Sequence, residues 1–124
     1  MDYTEAKVRN RSRIVRNNIR SRCKRRGIRY NLDRYADALA ARIAVGVCEL
    51  SGFPLDLAGS RTYNSLSVDR IVPSRGYVYS NIRLVCLCLN MGLSNWGDRC
   101  APVFRMWLEK RWERQQNPGN TKRS

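Results

Sequence analysis

Apolar residues recur at helical spacing through the first quarter of the chain. Val8, Val15, Ile19 and Cys23 fall within about 80° of one another at 100° per residue, which predicts one long helix over 4–26 with a thin buried stripe. Thr4 stands where an N-cap belongs, and Gly27 where a helix stops. After a short connection over 28–32, Tyr35, Leu39 and Ile43 repeat every four residues with Ala36, Ala40 and Ala44 alongside. This predicts a second, core-forming helix that Asp33 caps and Gly46 ends. The run of Gly, Pro, Ser and Asn over 52–64 has no period and reads as loop. Residues 66–71 alternate as a strand does, Pro73-Ser74-Arg75-Gly76 reads as a turn, and 81–86 as a second strand running into a helix over 87–95. Trp96-Gly97 breaks that helix. A last helix begins near Asp98, tolerates Pro102 in its first turn, and sets Val103, Phe104, Trp107, Leu108 and Trp112 on one broad face, expected to be core.

A chain of 124 residues and 14.4 kDa has room for one core, and 43% apolar against 27% charged residues is ordinary globular composition. The expected fold is α+β and mainly helical, in a single domain over 1–124.

The charge balance changes the picture. Lys and Arg number 24 against 10 Asp and Glu, a formal +14. Such an excess calls for a polyanion, and nucleic acid is the usual one, because each neutralised phosphate releases a counterion. In the first helix Arg9, Arg13, Arg16, Arg20 and Lys24 form a second stripe beside the apolar one. It runs for roughly 22 Å at 1.5 Å per residue, long enough to track phosphates. No apolar run approaches a membrane span, and the start Met1-Asp2-Tyr3-Thr4-Glu5 lacks the apolar region of a signal peptide. Five cysteines without the spacing of a secreted scaffold fit a reducing compartment. An intracellular, cytoplasmic protein without a membrane partner is expected. The chain contains no histidine, which removes imidazole as general base and as metal ligand.

Between Cys48 and Gly97 several short motifs follow in order: Cys48-Glu49-Leu50-Ser51-Gly52, Ser67-Val68-Asp69-Arg70-Ile71-Val72-Pro73, Gly76-Tyr77, Ser80-Asn81-Ile82-Arg83-Leu84-Val85-Cys86, and Asn90. In this order they resemble the HNH nucleases, also called His-metal finger or ββα-metal nucleases, of the short phage and mobile-element type. The resemblance covers about 50 residues and implies a small ββα-metal unit over 47–97, flanked by a basic helical region over 1–46, a C-terminal helix over 98–115 and a flexible tail over 116–124. By position it implies that Asp69 is a metal-binding carboxylate, that the amide of Asn81 ties down the loop between the strands, and that Asn90 is the metal-binding residue of the helix. The competing readings are that Asp69 pairs with a neighbouring arginine and that Asn90 caps or buttresses its helix.

Arg70 occupies the position of the family's catalytic histidine. A guanidinium, which has no acceptor nitrogen, cannot take a proton from water, but it binds phosphate in two-pronged fashion. Hydrolysis here needs hydroxide supplied by metal alone, a tyrosine nucleophile such as Tyr63, Tyr77 or Tyr79, or a base from a partner. Relatives carry a structural zinc on two Cys-x-x-Cys pairs; here Cys48 and Cys86 keep the first members, with Ser51 and Leu89 at the second, so no zinc is expected. The expectation is a protein that binds double-stranded DNA through Arg9, Arg13, Arg16, Arg20, Lys24, Arg70 and Arg75, with hydrolysis lost or weak and no cofactor required for binding. The alternatives are an active DNA endonuclease using Mg²⁺ or Mn²⁺ at Asp69 and Asn90, and a basic RNA-binding protein.

Overall fold

The computed structural model describes residues 3–117. It is α+β and mainly helical: α1 (Glu5–Arg26), α2 (Ala36–Val45), β1 (Leu66–Arg70), β2 (Ile82–Cys86), α3 (Leu87–Leu93) and α4 (Ala101–Gln116), with short 3₁₀ turns between several of them. The chain forms two compact units, Met1–Gly92 and Leu93–Ser124. The tail expected over 116–124 lies, from 118 onward, outside the described residues. No helix among the described residues is long and apolar enough to cross a membrane.

In the first unit α1 ends at Gly27, whose left-handed φ of 67° lets its N–H reach the Cys23 carbonyl. Val8, Ile19 and Cys23 are buried and Val15 packs on the same core with Leu32, Leu39 and Ile43, so the thin apolar stripe is the docking face of the helix. The second helix differs from expectation at its start. Leu32–Tyr35 is a 3₁₀ turn and α2 begins at Ala36. Asp33 caps nothing, because its carboxylate accepts hydrogen bonds from Arg16, Arg20 and Tyr30. Two guanidiniums within reach outcompete a backbone N–H for a carboxylate. Tyr35 is 37% exposed rather than core; its ring stacks on Tyr79 at 4.7 Å.

The segment over 46–65 has little regular structure yet is not merely surface loop. Leu55 and Leu57 are buried in the core, and the Tyr3 hydroxyl donates to the carbonyls of Gly46 and Leu55, fastening the chain start to this segment. The strands pair antiparallel with Leu66 opposite Cys86, Val68 opposite Leu84 and Asp69 opposite Arg83. Alternation therefore puts Leu66, Val68, Leu84, Ile82 and Cys86 on one apolar face, and Ser67, Asp69, Arg83 and Val85 on the other.

In the second unit α4 buries none of its residues. Val103, Trp107, Leu108 and Trp112, expected as core, are each more than half exposed. Periodicity reports which residues share a face; it does not supply a surface to cover them.

Two carboxylates of the first unit are held by arginines and contribute to its pH dependence. Burial by itself would raise the Asp33 carboxyl, but hydrogen bonds from Arg20, Arg16 and Tyr30 outweigh it and hold it below the usual range. Burial also works against Glu49, and the Arg42 guanidinium with the Leu84 amide holds it down. A carboxyl depressed by folding contributes stability above its unfolded pKa, about 4, and that contribution is lost as pH falls through the lower folded value. The urea midpoint is expected to hold from neutral pH to about 5 and to decline below about 4. Glu49→Gln should flatten part of that decline; an acid limb identical in wild type and variant contradicts the assignment.

Candidate nucleic-acid interface

The loop between β1 and β2 is fixed from within by one buried amide. Asn81 accepts from the Val72 N–H (3.0 Å) and donates to the carbonyls of Val72 (2.9 Å) and Gly76 (2.8 Å). Gly76 has φ +79°, and a Cβ there would stand 2.7 Å from the Arg29 carbonyl oxygen, so only glycine lets the loop lie this close to the end of α1. The contact continues through the Tyr77 N–H to Arg29 O (2.9 Å), the Asn31 N–H to Tyr77 O (3.2 Å) and the Tyr79 N–H to Asn31 Oδ1 (2.8 Å).

Arg70 ends β1 and is half-buried. Its Nη1 donates to the Pro73 carbonyl (3.0 Å), and its guanidinium carbon lies 5.0 Å from the centroid of the Tyr77 ring. Arg22 of α1 approaches the same ring at 5.6 Å. One phenol thus holds two cations, from the hairpin and from α1. Most of the five N–H donors of Arg70 are left for other acceptors. Arg75, at the tip of the loop, is exposed and has no ion pair among the described residues.

Asp69 is 5% exposed, and its Oδ2 accepts from Arg83 Nε (3.0 Å) and Nη2 (2.6 Å). Asn90 donates to Ser67 Oγ (2.6 Å) and the Val68 carbonyl (3.2 Å), so it buttresses β1 beside the face that carries Asp69. As placed, the one carboxylate of the pair is engaged by a guanidinium, and the Asn90 amide nitrogen is spent on β1.

Cys48 and Cys86 are buried as free thiols, Cys88 is exposed and Cys100 half-buried. Burial opposes ionisation of Cys48, but the Ser51 hydroxyl and neighbouring backbone groups hold it below the usual thiol value. Burial and the adjoining Cys48 push Cys86 up to about 11. Two sulfurs and a hydroxyl fall short of a tetrahedral zinc site.

The cations of α1 are divided by the fold. Arg16 and Arg20 pair with Asp33, and Arg9 pairs with Glu5 and Asp37. Of the expected phosphate-tracking stripe, Arg13 and Lys24 alone have no carboxylate partner among the described residues. The other side of the helix, about 170° round at 100° per residue, carries Arg11 and Arg22, which face a cleft against β1 and α3. Sequence reasoning missed these two. The signal for them is that the apolar stripe has a flank on either side, and that the acidic residues of 33–37 neutralise one flank only.

Comparison with protein-family profiles, curated proteins and solved structures finds no match to this chain.

Asn81→Ala is expected to lower stability by about 2–3 kcal/mol, the scale for orphaning buried backbone partners, read as a shift of the urea midpoint at constant m. A change below about 0.5 kcal/mol contradicts the loop-tying role. Metal analysis of the purified chain is expected to find no stoichiometric zinc, with melting unchanged by a chelator; one zinc per chain, lost with unfolding, refutes it.

Proposed function

We propose that this chain is a DNA-binding protein built on an HNH-like hairpin-and-helix unit, contacting phosphates through its basic first helix and Arg70, with phosphodiester hydrolysis lost or weak. The observation that carries the reading is Arg70. It stands at the position of the family's proton acceptor, anchored by Pro73 and Tyr77, and it carries a guanidinium in place of an imidazole. A base there would deprotonate water; a guanidinium binds the phosphate and leaves the water untouched. The order β1, loop, β2, α3 and the Asn81 amide across the loop support the same reading. So does the formal charge of +14.

The helix meets DNA with the flank that adjoins Arg70, since the opposite flank spends most of its cations on Asp33, Asp37 and Glu5. The engagement of Asp69 by Arg83 favours binding over metal-dependent cleavage.

The test is a pair of assays on one preparation: fluorescence anisotropy with a labelled duplex, and plasmid cleavage with Mg²⁺ or Mn²⁺. Salt-dependent binding without cleavage is expected. Arg70→Ala should weaken binding by about 1–3 kcal/mol, the range for losing a charge-assisted hydrogen bond. Robust metal-dependent cutting by the unmodified chain, abolished by Asp69→Ala or Asn90→Ala, establishes an endonuclease instead. A structured RNA bound more tightly than duplex at one salt concentration moves the reading to RNA.

A further inference from the structure

The cleft between α1, the segment at 59–61, β1 and α3 measures about 310 Å³, within the size range of small-ligand sites. Its cations come from separate elements: Arg11 and Arg22 from successive parts of α1, and Arg61 from the segment before β1. No acidic residue lines it. None of the three arginines has a carboxylate partner among the described residues: Arg22 stands over Tyr77, and Arg61 reaches only the Met91 sulfur at 3.6 Å. Arg11 Nε is buried without a hydrogen-bond partner. A buried donor left unmade costs stability, and so do like charges gathered where water is partly excluded. Elsewhere on the same helix Arg9, Arg16 and Arg20 are met by Glu5, Asp37 and Asp33. The uncharged lining matches the cations in kind, with hydroxyls of Ser60 and Ser67, the amide of Asn18 and the phenol ring of Tyr77.

We infer that this cleft is a binding site for a phosphate group, held by the guanidiniums of Arg11, Arg22 and Arg61. Three guanidiniums lining one cleft suit a tetrahedral anion with several equivalent oxygens better than a planar carboxylate, which one arginine satisfies in bidentate fashion. Tyr77 lines the cleft and also carries Arg70 at 5.0 Å, so the cleft adjoins the hairpin loop. A strand whose phosphate enters the cleft therefore passes Arg70. The inference rests on the proposed DNA binding only for the source of the phosphate, which is the backbone of a nucleic acid; a free phosphate has the same chemistry.

The test follows the side-chain Nε–Hε signals of Arg11 and Arg22 by NMR in the full-length chain, titrated separately with inorganic phosphate and with a 16-base-pair duplex. Shifts of both signals with the duplex are expected; shifts with inorganic phosphate alone assign the site to a small anion and leave the DNA reading to fail separately. Neither probe moving them, even if the duplex binds, overturns the cleft and leaves DNA binding standing. Affinity for the duplex gives a second readout. Arg11→Gln and Arg22→Gln are each expected to weaken it about tenfold or more. Arg34→Gln removes the same charge from an exposed position over Tyr35 and should change affinity less than threefold. Equal losses in all three variants would reduce the effect to net charge and contradict the site.

Discussion

The carboxylate of Asp33 sets how α1 lies on the rest of the molecule. It accepts from Arg16 and Arg20, four residues apart on α1, and from Tyr30 in the connection that follows. Those bonds fix the rotation of a helix whose apolar stripe is too thin to fix it alone. With that rotation set, Val8, Ile19 and Cys23 face the core and Arg11 and Arg22 face β1. Turned by one residue, about 100°, the helix would bury arginines and expose its stripe. The division of its cations into a neutralised flank and an uncompensated one follows from where Asp33, Asp37 and Glu5 stand.

The hairpin receives that uncompensated flank in a rigid form. Asn81 closes the loop over Val72 and Gly76, the absent side chain at Gly76 admits the Arg29 backbone, and Tyr77 is held by main-chain bonds on both sides. Arg70 thus presents its charge from a backbone with little freedom, which limits the ordering cost of binding. The acid lability that Asp33 and Glu49 confer belongs to side chains that hold the scaffold.

Much of this was legible in the sequence and some was not, for physical reasons. The extent of α1, the stop at Gly27, the turn at Pro73 and the strand ending at Cys86 follow from local patterning, and local patterning is what forms them. Asp33 has the local signature of an N-cap, yet two arginines 13 and 17 residues away claim it. Leu55 and Leu57 sit in a stretch rich in turn residues, and their burial depends on the surfaces that α2 and the hairpin bring to them. Trp107 and Trp112 share a helical face, but period alone does not provide a partner. For the candidate site, Asn81 and Arg70 were visible as residues of a motif. Arg11, Arg22 and Arg61 were not, because no motif contains them and only the fold brings them to one cleft.

The proposed DNA-binding surface of α1 is the flank away from Asp33. Arg13 and Lys24 lie on the Asp33 side, exposed and without carboxylate partners among the described residues, so both can be replaced without disturbing an ion pair. The decisive measurement is the dependence of duplex affinity on salt for Arg13→Ala/Lys24→Ala beside the wild type. Equal slopes of log K against log salt are expected. A slope shallower by about 1.8, two phosphate contacts at roughly 0.9 each, would put the DNA on the Asp33 side and contradict the proposed surface.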